Sequence, residues 1–372
     1  MRRNLKLTAL PAGVLAAMLI ASGARAQVTP AQGYEPVDDT PLVKLGGTIF
    51  ADYTYQDKPK VTDSNHNSIN QNSFNVARAY INVTGNISHL VAYRITPDIK
   101  TDTNDPATDK SLSGSSVFRL KYAYGQINLD DWIGKGAWLR IGAQQTPLVD
   151  FQEGVYRYRF QGTVFVDREG FLTSSDFGLS THYNLPNNFG DLHVGVYNGE
   201  GYSSQSDATG ANDQKAVQAR LTIRPAPGVP VLKGLRLTGF IDGDDYVQKG
   251  AKQRIVGQVT FEHPFINASF EYLDSKDRKT PAVADIHATG WSAWANPKTP
   301  FGLEALFRYD ELKPNKEVSA KKKRFIGGVS YWFPVQKGVT TAILADYEQV
   351  KYDSALGKPK EQRWALHTLF NF

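Results

Sequence analysis

The chain closes on Trp364-Ala365-Leu366-His367-Thr368-Leu369-Phe370-Asn371-Phe372. Counted back from Phe372, every second residue is Phe370, Thr368, Leu366 and Trp364. The intervening Asn371, Leu369, His367, Ala365 and Arg363 form a smaller and more polar set. A period of two places these sets on opposite faces of a strand. A last strand that is apolar on one face and aromatic at its end fits the closing strand of a transmembrane antiparallel β-barrel. The outward face of such a strand meets lipid and its inward face meets water.

The opposite end reads as an export signal. Met1, Arg2, Arg3 and Lys6 precede an apolar stretch over 7–21, interrupted by Thr8, Pro11 and Gly13, and Ala24-Arg25-Ala26 follows. Small residues at the two cleavage-specifying positions predict a secretory signal peptide over 1–26. A short periplasmic segment over 27–42 and a barrel over 43–372 are then expected. The chain holds 42 basic and 37 acidic residues. Arg2, Arg3, Lys6 and Arg25 leave with the signal, so the mature chain is close to neutral and its charge does not point to nucleic acid. With no cysteine there is no disulfide framework and no thiolate site. No stretch beyond the signal approaches the ~18–20 apolar residues of a helical span. Within a membrane that leaves a closed barrel, because every backbone polar group needs a partner.

Alternating segments of about ten residues recur along the mature chain. In 43–55, Leu45, Ile49 and Tyr53 oppose Lys44, Thr48 and Asp52. In 74–84, Ala79, Ile81 and Val83 oppose Arg78, Tyr80 and Asn82. In 90–100, Val91, Tyr93 and Ile95 oppose Arg94, Thr96 and Asp98. The pattern continues near 118–129, 137–146, 175–184, 191–199, 215–224, 235–243, 252–262, 266–273, 287–295, 301–311, 324–332, 339–350 and 361–372. The sum is sixteen strands, an even number that returns both termini to one side. The segment 118–129 fits worst, since strict alternation sets Arg119 and Lys121 on one face with Ala123 and Gly125. Tight turns such as Pro186-Asn187-Asn188-Phe189-Gly190 alternate with long polar connections over 57–73, 101–117, 147–174, 201–214, 274–286 and 312–323. Short periplasmic turns and long extracellular loops are expected of a bacterial barrel. A soluble β-sandwich or propeller explains the alternation, but not this asymmetry together with the terminal strand.

Several runs go beyond generic pattern. Phe74-Asn-Val-Ala-Arg78-Ala79-Tyr80-Ile81-Asn82-Val83-Thr-Gly85, with Tyr93-Arg94-Ile-Thr-Pro-Asp98, resembles the phosphate-selective porin O and P family of Gram-negative outer membranes. Lys121-Tyr-Ala-Tyr124 and Trp138-Leu-Arg140-Ile-Gly142-Ala-Gln-Gln-Thr-Pro147-Leu are similar to its next hairpin, and Tyr197-Asn198-Gly199 and Lys215–Leu221 to its central strands. The resemblance implies a sixteen-stranded homotrimeric barrel that passes small anionic or polar solutes, phosphate among them. It also implies outer-membrane lipid, lipopolysaccharide and the barrel assembly machinery as partners, with Phe372, Phe370 and Trp364 as the C-terminal barrel signal.

A barrel of this size encloses an aqueous channel that something must narrow. The best constriction candidate is the longest connection, 147–174. Phe151, Val155, Tyr156, Tyr158, Phe160, Val164, Phe165, Val166 and Phe171 make it too apolar to wave in water. It also carries Arg157, Arg159 and Arg168, which suit oxyanions because a guanidinium is always charged and offers a fork of donors. Two arrangements are open here: a ring of arginines that draws anions, or arginines paired with the acids Asp150, Glu153, Asp167 and Glu169 to hold the loop. Tyr156 and Tyr158 either line the passage or pack. Alternation points Arg78, Arg94, Arg140, Arg220, Arg236 and Arg254 inward in the first ten strands. Glu271, Glu304, Asp310, Asp346 and Glu348 point inward in the last six, with Arg308 and Arg363 as exceptions, a segregation that would set a field across the lumen. Lys321-Lys322-Lys323-Arg324 would recruit anions or lipopolysaccharide phosphates, or form a solvated cluster.

A barrel hydrolase and a receptor or adhesin barrel are the alternatives. The seven histidines lack the i, i+4 spacing of a helical zinc site, and Gly-x-Ser-x-Gly is absent. No cofactor or metal is called for. A plugged transporter needs about 22 strands, more than this chain can supply.

Overall fold

The computed structural model describes residues 41–101, 116–203, 214–336 and 338–372. The predicted export signal, and the predicted periplasmic segment up to residue 40, lie outside these. Along the chain run β1 (Leu42–Lys58), β2 (Val61–Thr62), β3 (Ser68–Ile69), β4 (Asn72–Asn86), β5 (Val91–Thr101), β6 (Ser116–Asn128) and β7 (Trp138–Gln145). Two helices follow, α1 (Pro147–Val155) and α2 (Phe165–Arg168). Then come β8 (Ser175–Leu185), β9 (Gly190–Tyr197), β10 (Ala216–Ile223), β11 (Leu235–Asp244), β12 (Ala251–His263) and β13 (Ile266–Arg278). The chain ends with β14 (Ile286–Pro297), β15 (Leu303–Lys313), β16 (Lys322–Trp332), β17 (Thr340–Tyr352) and β18 (Glu361–Asn371). β1 and β4–β18 are the sixteen expected strands, and they form one closed antiparallel barrel in sequence order; β2 and β3 are a small ribbon in the first long loop.

Alternation assigns the faces as expected. In β10, Val217 and Leu221 are exposed on the outside, whereas Gln218, Arg220 and Thr222 are buried inside. Outward aromatics gather near both ends of the strands. Tyr53–Phe74 and Tyr347–Trp364, each 4.7 Å between centroids, mark the end that carries the long loops, and Tyr331–Phe333 at 4.9 Å marks the short-turn end.

The terminal strand closes the cylinder. β18 pairs with β1 through Ile49↔Phe370, Asp52↔His367 and Tyr53↔Leu366, so neither strand is left as an open edge. Phe372 adds reciprocal backbone bonds to Gly47 of 2.7 and 2.9 Å, and its ring lies where a Cβ on residue 47 would stand, 2.5 Å away.

Strict alternation in the fourth barrel strand is corrected by a β-bulge. Register shifts between Thr96 and Pro97, so that Thr96 faces Tyr122, Pro97 faces Leu120, and Lys121 is the extra residue. Proline cannot donate to the ladder, which is why a bulge is tolerated beside it. On the loop side Arg119 is inward and Phe118 and Leu120 are outward; past the bulge Tyr122 and Tyr124 turn inward, leaving Gly125 outside. Lys121 itself is buried.

Candidate functional site

Residues 147–174 fold into the barrel. Thr146 and Pro147 start α1, with proline in the first turn where its missing N–H costs nothing. Beyond α1, Tyr156, Tyr158, Phe160, Phe165 and Val166 are buried in one cluster with Phe240, Val256, Leu273, Leu306, Ile326 and Leu344. Those six wall residues occupy inward positions on β11–β17, apolar where a water-filled barrel should be polar. They are the seat of the loop. Each fully buried aromatic of this kind contributes roughly 1.5–3 kcal/mol relative to exposure.

Polar clamps fix the loop on that seat. Arg157 meets Glu304 at 2.7 Å and stacks over Trp332 at 3.9 Å. Tyr158 donates to Glu304 at 2.9 Å and accepts from the Trp332 indole at 3.3 Å. Gln152 donates to Glu271 at 2.6 Å. Arg168 lies 3.6 Å from Glu348, and Lys322 binds Glu169 at 2.7 Å. Arg308 donates to the Thr163 carbonyl at 2.8 Å while a bidentate pair at 2.9 Å holds it to Asp310. Asp346 is not one of these clamps and lies 3.5 Å from His367 on the neighbouring wall strand. Tyr156 packs against Trp294 at 5.2 Å. Of the three loop arginines, Arg159 pairs with the loop's own Glu153 at 2.6 Å, whereas Arg157 and Arg168 reach wall acids.

Because the loop covers the β11–β17 wall, open space remains on the other side. A cavity of about 290 Å³ lies between α1 and the wall of β1 and β4–β7. Its lining includes Tyr80, Asn82, Arg94, Lys121, Tyr122 and Arg159, with Asp150 and Glu153 presented by α1. Arg94 is oriented by Thr96 and Asn82, both at 3.0 Å, and lies over the Tyr122 ring at 4.4 Å. The Lys121 ammonium stands 4.9 Å from the Tyr80 ring centre and 5.2 Å from that of Tyr122. Below them Arg140 stacks on Trp138 at 3.8 Å and donates to Gln126 at 2.7 Å. Rings and neutral oxygens hold all three cations, and among the described residues none of them forms an ion pair with a carboxylate. Burial raises the Asp150 carboxyl above its ordinary range. Burial would raise Glu153 as well, but the Arg159 and Lys121 charges hold it below its ordinary value.

The other wall arginines are neutralised locally. Arg78 and Arg119 share the fully buried Asp98 at 2.8 and 2.9 Å. Arg220 pairs with Asp191, Arg236 with Glu262, and Arg254 with Asp277 at 2.7 Å. The expected division of bases and acids between the first ten and last six strands is therefore corrected. Acids and bases neutralise each other on adjacent strands, and among the described residues Arg94, Lys121 and Arg140 on β5–β7 are left without a carboxylate. Lys121 and Arg119 were missed as lumen residues because the bulge broke the alternation, whereas Asp98 is inward as alternation required; Pro97 on the neighbouring strand was the available signal. His182 and His193 do face each other in register, but Trp138, Asp191 and the Gly136 carbonyl enclose them at the short-turn end.

No family model and no curated protein matches the chain. Among solved structures, the anion-selective porin from Comamonas acidovorans aligns with a TM-score of 0.60 at 11% identity, over 90% of this chain and 100% of its own. The outer membrane channel DcaP of Acinetobacter baumannii gives 0.58 at 13% identity, over 91% and 100%. OmpF of Salmonella typhi, solved with daunomycin, gives 0.58 at 13% identity, over 90% and 98%. At these identities the likeness is one of fold: a closed antiparallel β-barrel of the porin kind.

Proposed function

We propose that this chain is an outer-membrane porin that passes small hydrophilic solutes by diffusion and prefers anions such as phosphate. The observation that carries this reading is the trio Arg94, Lys121 and Arg140, cationic and without carboxylate partners among the described residues, beside the cavity between α1 and the wall of β1 and β4–β7. An ammonium or guanidinium facing water attracts anions and can bind their oxygens. Arg159 belongs to the passage lining, while Arg157 and Arg168 serve to dock the loop. The apolar outer face and its two aromatic belts suit a bilayer, and the long loops then face the cell exterior. The anion-selective character printed for the Comamonas porin agrees with this assignment, and the trimer form of Vibrio cholerae OmpT, aligned at TM-score 0.57, agrees with a homotrimer. In planar bilayers the purified protein should give stable steps that grow with salt without saturating, and a reversal potential of anionic sign. A barrel without conductance would contradict the reading and favour a hydrolase or adhesin; cationic selectivity would contradict the anion assignment alone.

A further inference from the structure

The outward face of β15–β17 carries an unneutralised row of lysines at the long-loop end. Lys323 and Lys351 are direct cross-strand partners, and Glu311 is the partner of Lys323 on its other side. Ile326 and Val350 are buried inside, so residues 323, 325, 349 and 351 point outward, as Phe325 and Lys351 confirm by their exposure. Like charges directly opposite on a sheet, with Cβ atoms about 5 Å apart, destabilise it unless something sits between them. Glu311 does not relieve them, because it is held by Lys321 at 2.7 Å. Lys313 ends the outward row of β15 two residues past Glu311. Among the described residues the side chains of Lys313, Lys323 and Lys351 form no ion pair or hydrogen bond. Three other cations of the same rim are matched: Lys276 and Arg278 to Asp285 at 3.0 and 3.3 Å, and Lys316 to Asp274 at 2.5 Å.

What lies beneath this row identifies the occupant. One register step toward the barrel's middle stand Tyr309 and Phe325, and one further stand Phe307, Gly327, Tyr347 and Trp364. The lysines therefore sit directly above the outward aromatic belt, the level at which a bilayer presents its headgroups, and long lysine stems reach from an apolar surface to that level. We infer that Lys313, Lys323 and Lys351 bind the phosphate groups of a phosphorylated outer-leaflet lipid, such as the headgroup of lipopolysaccharide. This inference rests on the outer-membrane reading.

The test uses full-length protein extracted in mild detergent, with diphosphorylated lipid A, its dephosphorylated form and inorganic phosphate as probes. Wild type should retain the diphosphorylated lipid by mass spectrometry, and binding should weaken roughly fivefold for each lysine replaced in K323S and K351S. K323R should restore retention, and K316S, at a matched lysine, should leave it unchanged. Channel conductance of all four should equal that of wild type, which separates this inference from the porin reading: silent bilayers would defeat the latter. Equal retention by K323S/K351S and wild type, or equal stabilisation by inorganic phosphate at the same concentration, would overturn the lipid site.

Discussion

At the residue scale, function turns on which cations lack a carboxylate. Arg220 and Arg236 are inward, as alternation requires, yet each is spoken for by Asp191 or Glu262. A period-two pattern gives the face of a side chain and says nothing about its cross-strand neighbour, so the arginines were legible as inward but their neutralisation was not. Lys121 was illegible for a different reason: a single extra residue shifts the phase of everything after it. The acids of α1 add a pH dependence. Asp150 lies in the field of Arg140, Arg94, Glu153 and Arg220, and its raised pKa means it takes up a proton at higher pH than an ordinary carboxylate, while the lowered Glu153 stays ionised. Acidification should thus remove one negative charge from the passage sooner than an ordinary aspartate would allow, and increase anion preference. Asp150→Asn should show the higher preference already at neutral pH and lose the dependence; an unchanged pH response in that variant would assign it elsewhere.

At the scale of elements, the inward folding of 147–174 was legible from its composition, because nine apolar side chains needed a surface to cover. Its seat was legible too, in retrospect. Val256 lies between Arg254 and Gln258, Leu306 between Glu304 and Arg308, and Leu344 two residues before Asp346, each an apolar residue at an inward position. Such residues in an otherwise polar lumen mark where something docks. Phe165 is fully buried, and its ring lies 2.5 Å from where a Cβ on Gly290 would stand. Phe165→Ala should weaken docking by about 3–5 kcal/mol, the usual loss for a buried aromatic. Larger, noisier single-channel steps and faster amide exchange over 156–168 are expected. Conductance and exchange both equal to wild type would show that the loop does not set the pore's width.

At the scale of the molecule, closure depends on the last strand. The sixteen-strand count and the loop asymmetry followed from periodicity and turn residues, since a transmembrane barrel needs alternation in every strand and cannot leave an edge in lipid. What periodicity could not supply was Phe372 lying over Gly47, a contact between residues at opposite ends of the barrel sequence. Gly47→Leu should displace that ring and slow or prevent closure, seen as loss of the compact, heat-modifiable band in electrophoresis. A normal compact band from Gly47→Leu would show that this contact is dispensable for closure.

The most direct test of the account is the reversal potential of single channels in a gradient of dilute salt, where the Debye length reaches about 30 Å and charges in the passage are least screened. Removing one charge at roughly 7 Å from the solute path in water changes an ion's energy by about 0.6 kcal/mol, or roughly threefold in permeability. Lys121→Gln and Arg94→Gln should each lower the anion-to-cation permeability ratio by at least that factor, and the pair together should bring it close to one or below. An anion preference that survives the double substitution undiminished would contradict the claim that the unpaired cations of β5 and β6 select the solute.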